Sequence, residues 1–303
     1  MRKTFAETME KIGKQDDELV VLIGDISHFA LQPFAHACPG RFYNIGILEP
    51  QIVSMAAGLY HSGFYPVVHT IAPFITERSV EQIKLDFCYQ ERGGNLVSVG
   101  SAFDYSRLGC THHCYNDIGI LKGVPRTQIV YPAMPNEFEI LFGMVYQNEY
   151  LTYFRLPENK HHVKIDDDEI QFGKAVILRE GKDITLIGVG PQLKTVIDAV
   201  PALLDSGIDP EVFYIHTVKP FDYESVSESV SKTRKYLVIE EHMEFGGVGD
   251  EVLRCTENVL KRNRIFLNIP NNFIHNYGSY SEICNKLGLT TKQVITQVKG
   301  ICL

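Results

Sequence analysis

A chain of 303 residues that is 45% hydrophobic can bury one large core or two medium ones, and chains beyond about 250 residues usually divide, so two domains are expected. Its 29 basic and 37 acidic residues leave a formal charge of −8 without a Lys/Arg-rich run, which removes the electrostatic footprint of a nucleic-acid partner. No apolar run is long enough for a bilayer span, and "MRKTFAETMEKIGKQDDELVV" has no apolar stretch behind its basic residues, so a cytoplasmic, soluble protein is expected.

In chain order, an amphipathic helix over residues 3–14 precedes the apolar run "ELVVLIGD". "GRFYNIGILEPQIVSMAAGL" then sets a single carboxylate, Glu49, between a buried strand and a small-residue helix over 50–62, with no cation written beside it. Further strands are predicted at "YPVVHTIA", "NLVSVGS", "TQIVYPA" and "LTYFRL", with helices over 76–91 and 135–149 between them. After the polar "HHVKIDDDEIQ", which reads as a linker, come "DITLIGVG", "PEVFYIH" and "KYLVIEE" with helices over 194–205 and 247–261. The apolar runs are continuous rather than alternating, as in parallel strands buried on both faces. The order predicts α/β architecture with two doubly wound domains, residues 1–163 and 172–303.

Four motifs stand out, each against a plainer reading. Gly188 and Gly190 begin a G-x-G turn, but no third glycine follows at the fingerprint spacing, so a tight strand-to-helix turn outweighs dinucleotide binding. Glu240, Glu241 and His242 end an apolar strand before a Gly-rich stretch and read as turn residues rather than an acid/base cluster. Cys110 and Cys114 flank His112 and His113, a spacing with no second ligand pair, so no metal is expected there and the seven cysteines read as reduced thiols. A loop histidine can still hold substrate hydroxyls or move a proton, and Phe74 near a strand end is either core or a stacking face.

Taken together, "RKTFAE", "VVLIGDIS", "GRFYNIGILEPQIVSMAAGL", "PVVHTIAPFITERSVEQI", "LGCTHHCYNDIGIL", "YFRLPE", "HTVKPFD" and "IEEHMEFGGVGDEV" resemble, in order, the C-terminal half of transketolases. Deoxyxylulose-phosphate synthases and 2-oxoacid dehydrogenase beta subunits share the pattern. The resemblance implies a pyrimidine-type thiamine-diphosphate-binding domain followed by a transketolase C-terminal domain. It places Glu49 on the glutamate that activates the cofactor's aminopyrimidine, which should be buried and free of cationic neighbours. Phe74 falls on the stacking aromatic, Asp25 on an acid near the cofactor and subunit interface, and Ile26 beside the thiazolium. His112 matches the catalytic loop histidine and His113 a substrate-side neighbour. Arg2 and Arg155 match arginines that hold the sugar phosphate, a role suited to the planar guanidinium fork. Leu108, Phe29, Pro50 and Ile71 depart from the family pattern, which leaves the substrate open.

The "GDG…N" segment that binds the diphosphate through a divalent metal in such enzymes has no counterpart here. The resemblance therefore implies one half of a split transketolase, a transferase moving a two-carbon ketol unit between sugars. Its partner subunit would hold the Mg2+ or Ca2+ and the diphosphate in a heterotetramer. The alternatives are a 2-oxoacid dehydrogenase beta subunit, a deoxyxylulose-phosphate-synthase-like enzyme, or a subunit kept only for assembly.

Overall fold

The computed structural model describes residues 1–275 and 277–303. Among the described residues twelve strands form two sheets. β1 (Leu19–Ile23), β2 (Phe42–Asn44), β3 (Tyr65–Ile71), β4 (Gly94–Val99), β5 (Thr127–Val130) and β6 (Leu151–Leu156) pair in parallel, in the order β5-β6-β4-β3-β1-β2. The second sheet contains β7 (Val176–Arg179), β8 (Ile184–Val189), β9 (Pro210–Ile215), β11 (Tyr236–Met243) and β12 (Arg264–Ile269), in the order β12-β11-β8-β9-β7. Only β7 runs antiparallel to its neighbour there. The continuous apolar runs follow from this layering, because β1, β4, β6, β8 and β9 are buried along their whole length.

β10 (Thr217–Lys219) follows β9 in sequence yet leaves the second sheet, pairing antiparallel with β5 at the edge of the first. Covering that edge satisfies backbone groups that would otherwise face solvent, and it joins the two halves by main-chain bonds. Lys219 Nζ continues the joint, donating to Val124 O at 2.9 Å and Thr127 Oγ1 at 2.8 Å.

Several expected elements differ. The helix predicted over 76–91 is broken into Ala72–Thr76, Val80–Gln82 and the π-helical turn Ile83–Cys88. The one predicted over 194–205 splits into Leu193–Ile197 and Val200–Leu204, with Pro201 opening the second piece. The polar linker is not free of the core: Ile165 and Ile170 are buried in it.

Glu240, Glu241 and His242 are not turn residues but belong to β11 and are buried. Glu240 accepts from the Val248 and Gly249 amides at 2.7 and 2.8 Å, capping the helix Val248–Cys255. Gly247 is required for that approach, since a Cβ there would lie 2.4 Å from Glu240 Oε2. Glu241 accepts from Gln192 Nε2 at 2.8 Å and from the Tyr280 hydroxyl. Burial raises the carboxyl pKa of both acids.

His242 bridges the two halves, its Nε2 accepting from the Gly119 amide at 3.1 Å and its Nδ1 donating to Met243 O at 2.9 Å. Burial pushes its pKa down to about 4, opposed by Asp117 and assisted by Arg155 and Lys122. Because the unfolded imidazole binds a proton from about 6.5 downward, the neutral ring's contribution is present above that pH and is lost as pH falls toward 4. Urea unfolding of wild type and His242→Gln at pH 7 and pH 5 tests this. The wild type should lose about 2 kcal/mol more between the two pH values, at about 1.4 kcal/mol per pH unit of differential protonation.

Candidate active site

Chain order turns around in the first sheet between β1 and β3: β2 returns to one side of β1, while β3 and β4 build outward on the other. In doubly wound sheets ligands settle at the carboxyl ends of the strands flanking such a point. The helix Glu49–His61 begins there, and Glu49 occupies its first turn with its side chain fully buried. An acid at this position is favoured by the free amides of a helix N-terminus. Gly24, at the end of β1, leaves the room: a Cβ on it would lie 3.0 Å from Thr70 Oγ1 and 3.5 Å from Glu49 Oε1. Glu49 Oε1 and Thr70 Oγ1 are both buried and neither has a hydrogen-bond partner among the described residues.

Glu49 does not stand alone. Arg78 Nη1 donates to its Oε2 at 2.6 Å, so the expected absence of a cationic neighbour is corrected. Arg78 follows Phe74 by four residues, and the turn that brings the two to one side sets its guanidinium 4.3 Å from the Phe74 ring centroid. Phe74 also packs against the His112 ring in a T-shaped arrangement, with centroids 5.3 Å apart. Glu49, Arg78, Phe74 and His112 thus form a continuous chain of contacts. The i, i+4 spacing of Phe74 and Arg78 is the one local signal for Arg78, and it is silent about the partner carboxylate, which lies on another helix.

His112 is half-buried on the loop after Gly109–Thr111, with Nδ1 bonded to Thr111 Oγ1 at 2.9 Å and no partner for Nε2 among the described residues. His113 faces the other way, buried, with Nε2 at 3.3 Å from Ser106 O. Burial lowers its pKa. It lines a cleft of 360 Å³ with Glu77, Asn116, Met243 and Asn271, between the two halves.

Asp25 is exposed just past β1 in a left-handed conformation (φ 56°), braced by Asn44, which donates from Nδ2 to Asp25 Oδ1 at 3.1 Å. Ile26 packs half-buried on the core. Ser27 (φ 57°) holds this turn by donating to His69 Nε2 at 2.8 Å, while His69 Nδ1 donates to Val97 O at 2.8 Å. Burial pushes the His69 pKa down to about 4, which keeps the ring in the neutral form those two bonds require.

The two arginines assigned to phosphate differ sharply. Arg2 is part-exposed, donating to Glu158 Oε1 at 3.4 Å and to the Tyr105 hydroxyl, whose ring lies 6.0 Å from that of His112. Arg155 is fully buried. Its Nε pairs with Asp117 at 2.8 Å, its Nη2 donates to Cys114 O and Glu241 O, and its guanidinium lies 4.5 Å from the Tyr131 ring centroid. Its Nη1 is buried without a partner among the described residues, and in this structure the enclosed side chain serves as an internal tie between the two halves rather than as a solvent-facing phosphate anchor.

Around the mouth of this site several apolar side chains face solvent. Phe29 is 88% exposed, Ile47 67% and Leu48 51%, on the segments flanking Asp25 and Glu49. Leu108, on the loop before His112, is also exposed. Pro50 starts the Glu49–His61 helix and Ile71 closes β3, both with local structural roles.

A switch-point carboxylate, an aromatic ring and a loop histidine gathered at the carboxyl end of a doubly wound sheet mark the place where α/β proteins of this class take their ligands. The chain belongs to the transketolase family: residues 1–162 match the transketolase pyrimidine-binding domain and residues 173–294 the transketolase C-terminal domain. It is 31% identical to one of the subunits of the apulose-4-phosphate transketolase of Phocaeicola vulgatus, over 99% of this chain and 95% of that one. It is 29% identical to the 1-deoxy-D-xylulose-5-phosphate synthase of Pelotomaculum thermopropionicum, over 98% of this chain but only 47% of that protein. Among solved structures, a split-gene transketolase described as an inactive beta4 tetramer superposes with a TM-score of 0.88 at 25% identity, covering 99% of this chain and 97% of that one. Thiamine-diphosphate-dependent transferases make up this family. Among the described residues no helix is long and apolar enough to cross a membrane.

Proposed function

We propose that this chain is the pyrimidine-binding subunit of a two-subunit transketolase, moving a two-carbon ketol unit from a ketose phosphate to an aldose acceptor. The observation that carries this reading is the buried Glu49 Oε1 at the switch point, without a partner among the described residues, in a contact chain that runs to Phe74 and His112. A buried carboxylate oxygen without a protein partner calls for a hydrogen-bonding group from water or a ligand, and a ring nitrogen fits it. When bound, thiamine diphosphate supplies a nucleophilic carbon that attacks the ketose carbonyl and carries the two-carbon unit.

Glu49 holds and returns a proton at the aminopyrimidine nitrogen, while Phe74 supplies the stacking face. Ile26 and the braced Asp25 turn shape the wall beside it. His112, its Nδ1 fixed by Thr111, offers Nε2 to a substrate hydroxyl or carbonyl. Arg2, at the outer rim beside Tyr105, is the remaining phosphate anchor. The exposed Phe29, Ile47 and Leu48 favour a protein partner that closes the site and excludes water. Among the described residues no group of three or more His, Cys, Asp and Glu is placed to hold a metal. The divalent metal and the diphosphate are assigned to the partner, an assignment that the relatedness to one subunit of a multi-subunit transketolase supports. A cytoplasmic heterotetramer of two such pairs is the proposed assembly.

Reconstitution tests this reading. Turnover of a ketose phosphate with an aldose acceptor should require both this chain and the diphosphate-binding subunit, and His112→Ala should lower kcat/KM about a hundredfold. Turnover by this chain alone would overturn the split reading. Condensation of pyruvate with an aldehyde phosphate would favour the synthase alternative.

A further inference from the structure

The Arg78 guanidinium is planar and cationic, lies against the Phe74 ring at 4.3 Å, and donates to Glu49 Oε2 at 2.6 Å. An aminopyrimidine in this seat would take the place of the guanidinium against Phe74, laying one flat face on that ring, and would present one ring N–H to the same Glu49 carboxylate, whose Oε1 has no partner among the described residues. We infer that Arg78 is an internal stand-in for the cofactor's aminopyrimidine, seated between Phe74 and Glu49 in the ligand-free chain and displaced when the cofactor enters. The inference rests on the pyrimidine-seat reading and goes beyond it in naming the residue that must leave.

Two further observations support displacement rather than a shared site. Arg78's side chain is 43% exposed while Glu49's is 0%, so the arginine reaches into the seat from the solvent side and has somewhere to withdraw. Its body lies just past the short helix Ala72–Thr76, before the chain resumes at Val80, where a change of rotamer disturbs no helical ladder. The seat therefore has a counter-charge before the ligand arrives, which relieves the cost of an unpaired buried carboxylate. The consequence is specificity as well as stability: only a group that both stacks and hydrogen-bonds can match what the guanidinium gives up.

The test uses the purified full chain and the aminopyrimidine half of the cofactor alone, 4-amino-5-hydroxymethyl-2-methylpyrimidine, titrated by ligand-observed NMR. Arg78→Met removes the competitor and should tighten binding about tenfold, since both an ion pair and a cation–π contact no longer have to be broken. Adding Glu49→Gln to Arg78→Met should abolish that gain. Equal or weaker binding by Arg78→Met, or no binding to it at 20 mM probe, overturns the stand-in role, the second because a vacated seat must accept the ring. If Arg78→Met binds more tightly but the gain survives Glu49→Gln, the pyrimidine-seat reading itself fails, and the two failures are told apart. Because Arg78 is half-exposed, the variant should fold, and a thermal melt checks it.

Discussion

Replacing Glu49 by Gln is expected to lower the cofactor-dependent kcat of the assembled enzyme by about 10²–10⁴-fold, the range associated with losing a positioned acid/base group. Gln keeps the length of the side chain and leaves an oxygen to accept from Arg78 Nη1, so the chain should fold and melt close to wild type. What it removes is the capacity to take and return a proton at the cofactor's ring nitrogen. Single-turnover rates in the reconstituted complex measure the effect. Full activity in the variant would sink the catalytic reading and leave the assembly-only alternative standing.

The second large effect concerns Arg155. Arg155→Met should destabilise the chain by about 3–5 kcal/mol, because it leaves the Asp117 carboxylate buried without its cation and removes the tie to Glu241 O. Pairing the change with Asp117→Asn should recover much of the loss, since the amide removes the stranded charge while still accepting from the Tyr153 hydroxyl at 2.7 Å. Urea midpoints for the two single variants and the double variant give the coupling. A phosphate-binding Arg155 would behave otherwise, with stability unchanged and KM for the sugar phosphate raised.

These two residues show how unevenly the site is legible in residue order. Glu49 stands out because a lone acid just before a small-residue helix has few explanations and its place at the helix start is local, although the strand before it, Phe42–Asn44, is part-exposed rather than buried as expected. Arg155 does not: the residue type and its position at a strand end are the same whether the side chain turns toward solvent or toward Asp117. The choice depends on Asp117 and Glu241, which lie 38 and 86 residues away. Arg78 escapes a sequence reading for a similar reason, since its partner carboxylate is 29 residues earlier on a different helix. His112 and His113 are adjacent and identical in type, and the loop's backbone sends one toward Phe74 and the other to Ser106 O.

The sequence by itself determined the α/β alternation, the buried parallel strands, the acid at the start of the small-residue helix, and the family. Each of these is written in local periodicity or in motif order, which survive without knowledge of distant contacts. Only the tertiary structure decided that β10 crosses to the first sheet, that Glu240 caps a helix through the space left by Gly247, and that Arg155 ties the halves together. It also decided that the lone glutamate has an arginine beside it. Sheet edges, buried charges and close approaches are satisfied by whatever the fold brings near, and proximity in space between residues far apart in the chain is the one quantity that local pattern does not encode.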